Sequence, residues 1–167
     1  MNTKKTVTLA LLSAIAIASR YALSAFPNFK PVLAIVVIAG VAFSWQGGVL
    51  VGSVTMLLSN FIFGQGPHTP YQMFAMALVG FLAGIVFKKV PVKIYTLAIF
   101  GGLATMLIYA PIMNFYSMTM MSKEISLRRF LLFEMSGLPF DIPHAIASVI
   151  FLGVLGVPLL KIIKVSL

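Results

Sequence analysis

The chain has 167 residues, 60% of them hydrophobic and only 9% charged, with a net charge of +9 and no cysteine. So apolar a balance excludes a soluble domain and marks an integral membrane protein, while the missing thiols exclude disulfides and cysteine chemistry. The basic residues fall in small groups at the ends of apolar runs, a layout that sets topology and does not make a nucleic-acid patch.

The first apolar run predicts a helix over 6–26. Residues 6–19, behind Lys4 and Lys5, also resemble a signal peptide with Ala16-Ile17-Ala18 as a cleavage site. Arg20 follows at once, however, and the run continues to Phe26, reaching the ~20 residues that span a bilayer. Arg20 then lies roughly 21 Å along the helix, below the outer surface. A cation there is costly, so it either pairs with Glu134 or Asp141 or holds a polar or anionic ligand group. Ala10, Ala14 and Ala18 recur every fourth residue, a spacing that admits a close neighbouring helix within the bundle or from a partner subunit.

Residues 24–31 close this helix, with two prolines and with Phe26 and Phe29 bracketing Asn28. They read as an interfacial aromatic belt or as one lip of a pocket. Residues 31–63 are uncharged and form either one very long helix or two, 31–45 and 47–63, turning at Trp45-Gln46-Gly47-Gly48. Charge selects two: Lys4 and Lys5, then Lys88, Lys89 and Lys93, then Lys161 and Lys164 all fall on one side. Helices over 71–87, 94–113 and 142–160 complete a six-span, all-α membrane domain over 1–167, with both termini cytoplasmic.

This topology puts three polar segments outside. In the richest, Gly64, Gly66, Pro67 and Pro70 break the helix. Around them the amides of Asn60, Gln65 and Gln72, the imidazole of His68 and the hydroxyls of Thr69 and Tyr71 stand beside aromatic and methionine surface. That mixture suits a small-molecule pocket. Asn60, one turn below Gly64, must face inward, since an amide in lipid is expensive. The third segment, 114–141, holds all three acids, Glu124, Glu134 and Asp141, yet is rich in Phe115, Tyr116, Met118, Met120, Met121 and the run 130–133. Too apolar for a solvated coil, it is expected to fold over the outer mouth. The methionines there either fill gaps or touch ligand. Asp141 and His144 share a helix face at i, i+3, with Asp141 as N-cap the simplest reading.

Catalysis is poorly supplied. There is no G-x-x-x-x-G-K-[ST] loop for ATP, no H-E-x-x-H, and Glu134 spoils a rhomboid-type G-x-S-G. An intramembrane metal enzyme using His68, His144, Asp141 and Glu134 would rest on no recognised spacing. A channel or stand-alone carrier would need polar residues through to the inner face, where the helices are aliphatic.

Size, six spans, the alanine stripe, residues 60–73 and the run Gly137-Leu138-Pro139-Phe140-Asp141-Ile142-Pro143-His144-Ala145 together resemble the substrate-binding S component of an energy-coupling factor (ECF) transporter. That resemblance implies a multi-pass subunit of the cell membrane, embedded in lipid, with no cofactor and no ATPase of its own. It would capture a vitamin in a cup on the extracellular side, for uptake driven by a transmembrane T component and two ATPase subunits. It implies that Ala10, Ala14 and Ala18 dock the T component. Arg20, Asn28, Asn60, Gln65, His68, Thr69, Tyr71, Gln72, Tyr116, Asp141 and His144 become the expected substrate-binding residues. Residues 64–73 are most similar to members assigned to cobalamin or a related corrinoid, although His68 and Tyr71 stand where many relatives have tryptophan. Riboflavin, thiamine, folate and queuosine precursors are the alternatives.

Overall fold

The computed structural model describes residues 3–166, with side chains through Ile163, so the side chain of Lys164 lies outside the described residues. Within that range the chain is helical, without a strand. The elements are α1 (Thr3–Ala22), α2 (Val32–Phe63), α3 (His68–Val86), α4 (Ile94–Ala104, a π-helical turn Thr105–Tyr109, then Ala110–Met121) and α5 (Leu127–Phe151, a π-helical turn Leu152–Gly156, then Val157–Ser166). Four of them, α2 to α5, are long and apolar enough to cross a membrane.

α2 is broken. Phe43 (φ −119°, ψ 16°) and Ser44 (φ 67°, ψ −178°) leave helical geometry, and the positive φ of Ser44 is one that L-residues seldom adopt. The break comes just before the glycine pair expected to form it, because those glycines serve a different purpose. A Cβ on Gly48 would overlap the backbone of Gly80, and one on Gly47 would overlap Phe43. Gly84 likewise lets the backbone of Ser44 and Trp45 approach α3.

The register of these approaches shows what the break achieves. Gly48 faces Gly80 and Gly52 faces Met76, so the second half of α2 runs antiparallel to α3. Straight continuation would carry Gly40 beyond the end of α3, yet Gly40 also meets Gly80, Ala83 and Gly84. The two halves of α2 therefore double back on each other against the same stretch of α3. Lipid is as apolar as a leucine side chain, so burial alone drives little helix association in a bilayer. Close backbone approach at small residues supplies van der Waals attraction instead. The first half of α2 is the centre of the bundle: residues 32–39 are buried without exception, as expected of a helix apolar all round.

The stretch 114–141 is not a lid. α4 runs on to Met121 and α5 starts at Leu127, leaving a connection of residues 122–126. Ser126 caps α5, its hydroxyl accepting from the Arg129 N–H at 3.3 Å. Pro139 and Pro143 sit inside α5. A proline removes one helical hydrogen bond, and inside a membrane protein neighbouring groups make up the loss. Separately, the Phe140 carbonyl between the two prolines accepts from Asn28 Nδ2 at 3.1 Å, which ties the α1–α2 connection to α5. Met120, Leu131 and Met135 of this stretch are exposed, while Met121 and Leu132 line a cavity of about 460 Å³ with Asn114, Ser117, Gly137 and Phe140. α4 and α5 pack closely where Gly101 makes room for Leu152 and where the buried Thr105 and Ser148 hydroxyls meet at 2.9 Å.

Candidate ligand-binding site

Arg20 lies in the last turn of α1 and organises one end of the bundle. Its Nη1 donates to Ser59 Oγ and, at 3.1 Å, to Asn60 Oδ1, and it lies 3.4 Å from Met56 Sδ. Asn60 is 1% exposed. Its Nδ2 passes the network to α3, donating to Thr69 Oγ1 and to Gln72 Oε1, both at 2.9 Å. A buried amide with an unmet N–H or C=O costs a few kcal/mol, about 1–3, and here both ends are met. The guanidinium also stands over the Phe63 ring at 5.2 Å. No acid reaches it: among the described residues the ion pair is Arg129 with Glu124, at 3.9 Å on the surface, so pairing of Arg20 with Glu134 or Asp141 does not occur.

Beside this network is a polar cavity of about 90 Å³, lined by Arg20, Asn28, Lys30, Gln72, Tyr109 and His144 with Val32, Met56 and Met76. A second cavity of about 260 Å³ shares Asn28, Gln72, Tyr109 and His144 with the first and adds Asn114, Ser117, Gly137 and Asp141. The two form one cup between the α1–α2 connection, the starts of α3 and α5, and the middle of α4. Asn28 adopts φ 57°, a left-handed conformation that asparagine tolerates better than most residues, and from it reaches across to Phe140. Tyr109 closes the π-helical turn of α4, a feature that re-aims side chains and recurs at functional sites. Its ring meets His144 edge-on at 4.8 Å. Asp141 is not a cap, because α5 begins at Leu127, about four turns before it. Instead its Oδ2 accepts from Asn114 Nδ2 at 2.9 Å.

The structure divides the expected binding residues into groups. Arg20, Asn28, Gln72, Asp141 and His144 line the cup, while Asn60 and Thr69 hold it from behind. His68, Tyr71 and Tyr116 form an aromatic cluster elsewhere, with Tyr71 and Tyr116 at 5.1 Å and His68 and Tyr116 at 6.4 Å. Tyr71 belongs to an apolar groove of about 630 Å³ with Phe74, Phe115, Met118 and Phe130. Gln65 is exposed and bonds only the Leu57 carbonyl, at 3.0 Å. His68 is thus not joined to His144, and among the described residues no three His, Asp or Glu side chains gather as metal ligands.

Sequence reasoning missed Lys30, Tyr109 and Asn114. Tyr109 and Asn114 were hidden at the end of an apolar run, where their five-residue spacing gives no signal on a regular helix. Lys30 looked like a surface lysine, but burial and the neighbouring Arg20 charge hold its ammonium below the usual lysine range, and it stands 5.7 Å over Phe63.

The other face of α1 is bare. Ala10, Ala14 and Ala18 are exposed in a row, and Ala10 and Ala14 floor a shallow apolar cavity of about 270 Å³ walled by Leu50, Val54 and Leu58 of α2.

Among known families, the model for the ECF transporter, substrate-specific component, matches residues 4–163. Comparison with curated proteins and with solved structures gives no match.

Proposed function

Because the chain belongs to the family of ECF transporter substrate-specific components, we propose that it captures a vitamin from outside the cell in the cup built around Arg20. Components of this family work with a T component and ATPase subunits, which supply the energy. In this reading the chain crosses the cell membrane six times, with both termini in the cytoplasm. The break at Phe43 and Ser44 supports six crossings, since it turns α2 into two antiparallel legs. The inner leg is short, but it is surrounded by protein and need not match the lipid thickness. Sidedness is supported by the positive-inside rule, which puts Lys88, Lys89, Lys93 and Lys161 opposite the cup.

The observation that carries the reading is the half-buried Arg20, held by a buried polar network and meeting no acid among the described residues, at the floor of a polar cavity. So costly a cation below a membrane surface is kept where it meets something polar. Ala10, Ala14 and Ala18 form the face that the T component covers, for exposed small residues let a second helix come near.

Cobalamin or a related corrinoid, indicated by residues 64–73, is the first ligand to test. A second reading is a smaller vitamin or precursor, which the polar cavities of about 90 Å³ and about 260 Å³ would hold; a corrinoid would also need the adjoining cavity of about 460 Å³ that shares Asn114, Ser117, Gly137 and Phe140 with the second. The native chain has no cysteine, which makes the topology easy to test. Single-cysteine variants Gln65→Cys and Lys89→Cys are exposed to a membrane-impermeant thiol reagent in intact cells. Labelling at 65 and protection at 89 is expected, and the reverse would overturn the orientation. Purified protein without ATP is expected to bind one vitamin tightly. No binding across cobalamin, riboflavin, thiamine, folate and queuosine precursors, with no small molecule co-purifying, would overturn the capture reading.

A further inference from the structure

The cup is electrically two-ended. At one end Arg20 and Lys30 line the same small cavity, and neither has an acidic partner among the described residues. All of the hydrogen bonds of Arg20 leave from Nη1, so Nη2 and Nε keep their donors. Lys30 is held below the usual lysine range first by burial and then by the charge on Arg20. Two cations share a partly desolvated pocket and repel each other, and an anion between them removes that cost.

At the other end, Asp141 and Asn114 line the connected cavity. Asp141 accepts one bond from Asn114 through Oδ2, and its Oδ1 takes none from the described residues. Glu134, two turns earlier on the same helix, has an Oε1 that is buried without a partner. Neither carboxyl faces a lysine or arginine within ion-pair distance. A Cβ on Gly137 would strike the side chains of Asn114 and Asp141, so its absence leaves Asp141 open to the cavity. Tyr109, His144, Asn28 and Gln72 belong to both cavities and give a neutral, hydrogen-bonding middle.

Taking the cup as the ligand site, we infer that its substrate is dipolar, with a carboxylate or phosphate seated between Arg20 and Lys30 and an N–H donor seated at Asp141 and Asn114. This goes beyond vitamin capture, because it disfavours any molecule that lacks an acid group and any that lacks an N–H. Rejection rests on unpaired charge as much as acceptance rests on pairing. The corrinoid and the smaller-vitamin readings can both meet the rule, the first through a phosphate and amide side chains and the second through a single acid.

The test uses full-length protein purified in detergent from cells grown on rich medium. Small molecules released on denaturation are identified by mass spectrometry, and titrations follow with matched probes: cobinamide phosphate against cobinamide, biotin against its methyl ester, pantothenate against pantothenol, and thiamine. The released compound is expected to carry both an acid group and an N–H. Within whichever pair binds, the acid should bind about tenfold or more tighter than its neutral partner, the effect of a charge-assisted hydrogen bond. Arg20→Gln should erase that preference and Arg20→Lys should keep part of it, and a single sharp gel-filtration peak for each variant shows that the fold is intact. Equal binding of acid and neutral partner, or thiamine as the bound compound, would overturn the dipolar rule while leaving vitamin capture standing. No bound or co-purified small molecule would overturn both.

Discussion

The two faces of α1 teach opposite lessons about how a membrane protein builds a site. Facing the bundle, Leu9, Leu12, Ser13 and Ala16 are buried and lead up to Arg20, whose hydrogen bonds tie α1 to α2 and, through Asn60, to α3. Facing out, Ala10, Ala14 and Ala18 are exposed and offer no group to bond. One face needs exact polar satisfaction because a missing partner leaves a charge or amide stranded. The other needs only smallness and fails by steric bulk. Ligand capture and partner docking should therefore be separable by mutation on a single helix.

The most drastic separation is expected from Ala14→Trp. Uptake by cells or proteoliposomes containing the T and ATPase subunits should fall to background while ligand affinity of the purified subunit is unchanged. Retained uptake would remove the docking role from this face. On the inner face, Arg20→Gln is expected to lower ligand affinity on the order of a hundredfold, the scale of removing a charge-assisted hydrogen bond together with the alignment it imposes; titration calorimetry reads this directly. Asn60→Leu should cost about tenfold, because Asn60 acts through Arg20, Thr69 and Gln72 and does not line the cup. An effect as large as that of Arg20→Gln would mean that the network, and not the cation, is what the ligand sees.

The smallest effects sharpen the boundary of the cup. His68→Ala and Gln65→Ala should shift affinity by less than about threefold, since both side chains lie outside the two cavities, and a larger loss would mean that the segment 64–70 closes over the ligand. pH separates the cations. Lys30 must be protonated to hold an anion, and its lowered pKa means that this contribution disappears as pH rises through a value below that of an ordinary lysine. Arg20, which stays protonated, and the neighbouring His144 and Tyr109 are common to wild type and variant. Lys30→Arg should therefore move the alkaline loss of affinity to higher pH, as binding measured across a pH series would show.

What could be read from the sequence was decided by where charge and helix breakers mean what they usually mean. Lysines at run ends carried the proposal for spans and sides, and Asn60 announced the inward face that its burial bears out. The segment 114–141 was expected to be a loop, yet Pro139 and Pro143 lie inside one continuous helix. The segment 59–74 looked like one wall and proved to be two surfaces, because helical geometry after Pro67 sends Thr69 and Gln72 inward while Tyr71 turns to the apolar groove. Tyr109 and Asn114 were illegible for a different reason. A π-helical turn shifts side-chain phase by an amount that no regular periodicity anticipates, and it is that turn which brings α4 into the cup.

The most direct test of the cup around Arg20 is equilibrium binding of the co-purifying small molecule to purified wild-type and Arg20→Gln protein, in detergent and without ATP. One equivalent bound by wild type and a loss of about a hundredfold in the variant is the expected result. Equal affinity in a correctly folded variant would place ligand capture elsewhere in the molecule.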